Sequence, residues 1–193
     1  MIVAALYAAL ALFPNVPAYA AAARIKDIVS FEGVRDNQLV GYGLVVGLNG
    51  TGDSLNNAPF TKQSLQSMLE RLGVNTAGEN VRTANVAAVM VTANLPAFGT
   101  QGSRMDVSVA ALGDSDSLQG GTLLVTPLLA ADGEVYAIAQ GPVLINGFSA
   151  GGDAASIVSG VPTTGRIASG GLIEREIDFH LGAQTSLRLA LRN

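Results

Sequence analysis

VGYGLVVGLNGTGDS, Val40–Ser54, sets five glycines around a branched apolar run. Glycine-rich stretches like this cradle phosphates only when the spacing is right. A dinucleotide fingerprint needs G-x-G-x-x-G between a strand and a helix. Counted from Gly41 and Gly43, the third glycine position holds Val46; counted from Gly50 and Gly52, it holds Leu55. A P-loop ends in G-K-[ST]. Here Asp53 and Ser54 follow Gly52, so a carboxylate that repels phosphate stands where the cation belongs. The stretch reads instead as a strand, Leu39–Leu48, followed by a turn, Asn49–Asp53. Glycine in it supplies positive φ and lets another backbone come close.

The remaining composition points the same way. A chain of 193 residues is long enough for one domain with a true core, or two small ones. Charged residues are 13%, about half the roughly 25% usual in soluble domains. So uncharged a surface suits a molecule covered by copies of itself or by partners; a tightly turned β protein accounts for the composition as well. The net charge is −4, and no stretch clusters Lys and Arg with aromatics, which excludes a general nucleic-acid binder. With no cysteine, disulfides, thiolate metal sites and cysteine nucleophiles are excluded. A single histidine, His180, leaves little for a metal site or a Ser/His dyad. No cofactor is expected.

Ile2–Phe13 is an unbroken apolar run, closed by Pro14 and Pro17 and followed by the small residues Ala18-Tyr19-Ala20. It is too short to span a bilayer and reads as a signal peptide over residues 1–20, with cleavage as late as residue 23. No Lys or Arg precedes it. The mature chain is expected to be exported.

Along that chain, Ile25–Ser30 and Leu39–Leu48 read as strands. Thr61–Leu72 places Leu65, Met68, Leu69 and Leu72 at i, i+3, i+4 and i+7, the stripe of an amphipathic helix. Thr61 is suited to cap its start and Gly73 to end it in a left-handed conformation. Val86–Val91 is apolar on both faces, as a central strand is. Met105–Ala111 alternates, with Asp106 and Ser108 facing away from Met105, Val107 and Val109. Thr122–Leu129 and Glu134–Gln140 flank Asp132-Gly133, a hairpin signal; Pro127 marks an edge or a bulge. Ser149–Gly171 is rich in Gly, Ser, Ala and Thr and reads as a mobile loop that would order only against a neighbour. Ile173–Leu181 alternates again, and Leu187, Leu189 and Leu191 begin one more strand.

The expected fold class is α+β: mostly antiparallel β-strands with one clear amphipathic helix (61–72) and long Gly-rich loops. The expected organisation is a β-rich domain over 21–148, a Gly/Ser-rich loop over 149–171, and strands over 172–193 continuing into a part not in this sequence.

Few residues offer chemistry. Glu174, Glu176 and Asp178 would share a strand face, with neighbours about 7 Å apart, a spacing compatible with an inverting glycosidase. No aromatic platform accompanies them, since the chain has no Trp, and a solvated or partner-facing strand face is the plainer reading. No G-x-S-x-G elbow occurs. No catalytic constellation emerges.

A series of motifs carries a resemblance: ARIKDIV (23–29), GVR (33–35), NQLVGYGLVVGLNGTGD (37–53), PFT (59–61), NVAAVMVTA (85–93), QGSR (101–104), DVSV (106–109), LQGGTLLVTPL (118–128), DGEVYAIAQG (132–141), GRI (165–167) and IERE (173–176). Together they resemble the flagellar P-ring proteins of Gram-negative bacteria over most of the mature chain. The resemblance implies a periplasmic structural protein that polymerises into a ring around the distal rod of the basal body. That ring would lie at the peptidoglycan layer and stack on the L-ring protein as a bushing. An assembly chaperone is implied, and no enzyme activity. Family members are longer, so this sequence would be their N-terminal part. It departs from them at Pro96–Thr100, where a second proline and a basic residue are common. On this basis the turn residues Asn49, Thr51 and Asp53, the hairpin tip Asp132 and Gly133, and the 149–171 loop are expected at subunit contacts. Lys62, Arg82 and Arg104 are expected to face the rod. The rivals are a peptidoglycan-acting hydrolase using Glu174 or Asp178, and a monomeric periplasmic binding module.

Overall fold

A computed structural model describes residues 24–54, 57–74, 84–146, 148–152, 155–177, 186 and 188–191. The expected signal peptide, Arg82, Asp178, His180 and Leu187 lie outside the described residues. The chain divides into two units, one of Met1–Val34 with Gln184–Asn193 and the other of Arg35–Ala183.

In the smaller unit, Ile25–Ile28 is a short helix and not the start of a strand. Arg24 and Asp27 form a 3.2 Å ion pair three residues apart, and the Asp27 N–H donates to the Arg24 carbonyl. These local bonds close a helical turn, with the acid near its positive end. Strand β1 (Val29–Phe31) follows and pairs antiparallel with β10 (Leu189–Leu191).

The larger unit is built on a closed antiparallel barrel. Its strands are β2 (Asn37–Val46), β3 (Val86–Leu95), β4 (Arg104–Ala111), β5 (Thr122–Leu129), β6 (Val135–Pro142) and β9 (Thr164–Ile173), in the order β2-β3-β4-β9-β6-β5. The alternation read in the sequence sets which side chains fill it. Met105, Val107 and Val109 point inward with Leu39, Val45, Val89, Val91, Leu123, Leu128 and Ile167, while Asp106 and Ser108 point out. The Asp132-Gly133 hairpin between β5 and β6 forms as expected, and Gly133 has φ 81°.

Gly41 and Gly43 explain the opening stretch. Both lie on the inward row of β2, between Leu39 and Val45. A Cβ on Gly41 would collide with the Pro127 carbonyl, and one on Gly43 with the Thr126 hydroxyl. Between the pairs Val40↔Leu129 and Val45↔Leu123, β2 runs 45 − 40 = 5 residues and β5 runs 129 − 123 = 6. The extra residue makes a bulge, and the two glycines make room for it. Pro127 therefore sits in a bulge and not at an edge, since the closed barrel has none.

The helix spans Pro59–Arg71. It begins two residues before Thr61, with proline in its first turn, where the missing N–H costs nothing. Thr61 does not cap it; the residue at the N-cap is Ala58, which makes no side-chain bond. The helix end is as expected. Gly73 is left-handed at φ 85°, and the N–H of Val74 reaches the Leu69 carbonyl at 2.9 Å. Leu65, Met68 and Leu69 pack on Leu44, Val86, Ala88 and Leu124 on the outside of the barrel, but Leu72 stays 70% exposed.

The largest departure from expectation is Ser149–Gly171. It is not a loop: it holds part of β7 (Phe148–Gly152), all of β8 (Ala155–Ser159) and most of β9. β9 closes the barrel between β4 and β6, although few of its residues are large and apolar. Its small residues fit because the neighbours are close: a Cβ on Gly171 would press on Met105 and Val107. Among the described residues, β7 and β8 pair with each other alone, as a two-stranded ribbon.

Candidate interaction surface

Glu174 and Glu176 do not share a strand face, because β9 ends at Ile173. The N–H of Glu174 bonds the Tyr136 carbonyl at 2.9 Å, and the Glu176 carboxylate accepts the Gln101 N–H at 2.9 Å. They are tied to separate neighbours and form no carboxylate pair.

The turn expected to meet a neighbour is largely bound within its own fold. Asp53 is fully buried. One carboxylate oxygen accepts the Thr61 hydroxyl at 2.7 Å and the Ala88 N–H at 2.8 Å; the other accepts the Ser115 N–H at 3.1 Å. Its side chain thus presents nothing to a partner. It ties the turn to the helix start, to β3 and to the loop after β4. For Asp53, expected at a subunit contact, three donors from distant segments take the carboxylate inside. Thr51 is half-exposed, and its hydroxyl donates to the Ser117 carbonyl at 2.7 Å. Asn49 is exposed. The loop after β4 presents two exposed acids, Asp114 and Asp116. Asp114 accepts the Ser54 N–H at 2.8 Å and the Asn57 amide at 3.1 Å, which hold its carboxyl below the ordinary aspartate value.

The hairpin tip is exposed but ordered by its own bonds. Asp132 accepts the Glu134 N–H at 3.0 Å and the Tyr136 hydroxyl at 2.8 Å. The first of these bonds does most to lower the Asp132 carboxyl, and the second raises the Tyr136 hydroxyl. Arg175 lies 5.7 Å from the Tyr136 ring centre and pairs with Glu134 at 3.1 Å, a cation–π and ion-pair cluster.

Lys62 and Arg104 are not brought together. Lys62 lies in the first turn of the helix, at the end of β3 marked by Ala88 through the Asp53 ties. Arg104 opens β4, whose pairing runs antiparallel from the other end of β3. Around Arg104 is a polar groove of about 670 Å³ on the outer face of β3, β4 and β9. The signal for it was in the sequence, in the outward row of β4: Arg104, Asp106, Ser108. Its β9 wall, Arg166 and Ser169, lay inside the segment read as a loop. A second cleft of about 420 Å³ runs between the helix and the barrel, lined by Tyr42, Ser64, Met68 and Val125; the Tyr42 and Ser64 hydroxyls are 2.9 Å apart.

Residues 24–193 match the family model described as flagellar P-ring protein. The chain is similar to the flagellar P-ring protein of Nitrobacter winogradskyi, 68% identical over 190 residues, covering 98% of this chain and 50% of that one. It is 69% identical to flagellar P-ring protein 1 of Bradyrhizobium diazoefficiens, over 95% of this chain and 49% of that one. It is 70% identical to the flagellar P-ring protein of Rhodopseudomonas palustris strain BisB5, over 91% of this chain and 47% of that one. The chain spans about half the length of the curated relatives it matches.

Proposed function

We propose, from the premise that this chain belongs to the flagellar P-ring protein family, that it is a structural subunit of the basal-body P ring. The subunit polymerises in the periplasm around the distal rod at the peptidoglycan layer, beneath the L ring, and serves there as a bushing. Its export would use the N-terminal apolar run, and a chaperone would keep it soluble before assembly. The observation that carries this reading is the family match over residues 24–193.

The physical character of the surface supports it. Charged residues are only 13%. Large apolar side chains stand out from the barrel strands, Val125 at 64% exposure. Such a surface is suited to burial against neighbours. A ring needs heterologous contacts, one patch meeting a different patch on the next copy until the rotation closes. Many weak, similar contacts toward a symmetric shaft give a nearly flat rotational energy profile, as a bushing requires.

Electron microscopy of basal bodies from cells with and without the gene, paired with a swimming assay, tests this. Loss of the ring and of swimming on deletion, both restored by the gene, is the expected result. Complete basal bodies and normal swimming in the deletion would overturn it.

A further inference from the structure

The groove on the outer face of β4 has features that the barrel does not need. Its floor is the outward row Arg104, Asp106, Ser108. Arg166 and Ser169 of β9 form one wall. Asp106 accepts the Ser169 N–H at 2.7 Å and pairs with the Arg166 guanidinium. Arg104 donates to the Ser169 carbonyl at 3.2 Å and has no carboxylate partner among the described residues. Two guanidiniums and one carboxylate leave the groove with a net positive charge, on a chain whose net charge is −4.

Ser169 is also the one non-glycine residue with positive φ, 52°, among the described residues. It lies where the β4–β9 register shifts between Met105 and Val107. A side chain in this region of conformational space is strained, and such positions gather at functional sites. Here Ser169 donates its N–H to Asp106 and accepts from Arg104 through its carbonyl, and so holds Arg104 across the groove. Among the described residues the Arg104 guanidinium spends one of five N–H donors on this bond.

The complement of this groove lies on the same molecule, past the far end of the same strand. The loop after β4 exposes Asp114 and Asp116, beyond a strand that runs about 23 Å from Arg104 to Ala111 by its rise. The Asp53 and Thr51 ties hold this loop in place. A positive groove at one end of β4 and an acidic loop beyond the other cannot meet within one chain. They can meet between two chains set head to tail.

We infer that the Arg104–Arg166 groove receives the Asp114–Asp116 loop of a second copy of this chain. This rests on the ring-subunit reading above and gives that ring one specific contact. The contact is heterologous, so repeating it builds a ring or an open helix and not a closed dimer. It also assigns Arg104 to the neighbouring subunit and not to the rod.

Charge reversal in the full-length protein, expressed in cells that build flagella, tests it. Like charges set against each other in an interface oppose association. Arg104→Glu and Asp116→Arg are each expected to lower the fraction of chain found in rings by about tenfold or more. The double variant is expected to return it to near the starting value. Thermal unfolding of each purified variant checks that it folds. For a variant that does not, the reporter is a cysteine pair that leaves every charge in place, Ser108→Cys in the groove floor of one copy and Gln119→Cys, at an exposed position between β4 and β5, on another. The chain has no native cysteine, so an oxidised dimer that needs both variants identifies the contact. Rings that form normally with either reversal, a double variant no better than its parents, or no mixed dimer within assembled rings would overturn the contact and leave the ring-subunit reading standing. No rings from the unaltered protein would overturn both.

Discussion

The Thr61 hydroxyl donates to the Asp53 carboxylate at 2.7 Å, and both residues are fully buried. This bond joins the first turn of the helix to the turn that follows β2. The same carboxylate accepts the Ala88 and Ser115 N–H groups, so four segments depend on one side chain. Asp53→Ala leaves three buried donors unpaired, at about 1–3 kcal/mol for each. We expect it to destabilise the chain by about 3–5 kcal/mol, and Thr61→Val by about 1–2 kcal/mol. In urea unfolding, the two losses should combine to less than their sum, because the bond is lost only once. Full additivity would show that Thr61 and Asp53 act separately.

Gly43 faces the Thr126 side chain across the β2–β5 bulge. Gly43→Ala should destabilise by about 1–3 kcal/mol through overpacking, although alanine ordinarily gains over glycine in a strand. Adding Thr126→Ala removes the colliding atoms and should recover part of the loss in thermal melts. No recovery would place the strain elsewhere.

Three exposed aspartates carry acid-dependent stability. The carboxyls of Asp106, Asp114 and Asp132 lie below the ordinary 3.8, mainly through the backbone N–H groups of Ser169, Ser54 and Glu134, then through Arg166, Asn57 and Tyr136. Because the folded values are depressed, their contribution is present above the unfolded value. It is lost as pH falls from about 4 through the folded ones. The variant with all three changed to Asn should melt lower than the parent at pH 5, and should lose less Tm than the parent between pH 5 and pH 3. An equal loss would assign acid sensitivity to other groups. Tyr136 works in the opposite direction. Its raised value, held up by Asp132, makes a contribution present below pH 10 and lost as pH rises through the folded value.

Among the described residues, the β7–β8 ribbon joins no third strand. Isolated two-stranded ribbons are marginal in water, so its amides in the unassembled chain should exchange at least about tenfold faster than those of β3 and β4. Hydrogen exchange read by mass spectrometry measures this. Equal protection would mean that the ribbon is packed against something in the free chain.

Local pattern was enough for several elements. Alternation in Met105–Ala111 marked the inward and outward rows of β4, and Asp132-Gly133 marked its hairpin to the residue. The Leu65–Met68–Leu69 stripe marked the helix face, and Gly73 its end. Val86–Val91 marked the core of β3. The short helix at Ile25 was missed, because its apolar residues carry no helical period over four positions. The candidate groove was half legible: its β4 floor was visible, and its β9 wall was not.

The sequence by itself determined the class of fold and the family, because side-chain period, turn chemistry and long ordered motifs are properties of neighbouring residues. Only the tertiary structure decided that the strands close into a barrel, that Gly165–Gly171 runs through its wall, and that Asp53 lies inside. The physical reason is the same in each case. A strand of small residues is stabilised by the neighbours that pack onto it, not by its own apolar content. The donors that make a buried Asp53 tolerable come from residues 8, 35 and 62 positions away, which no local pattern can bring together.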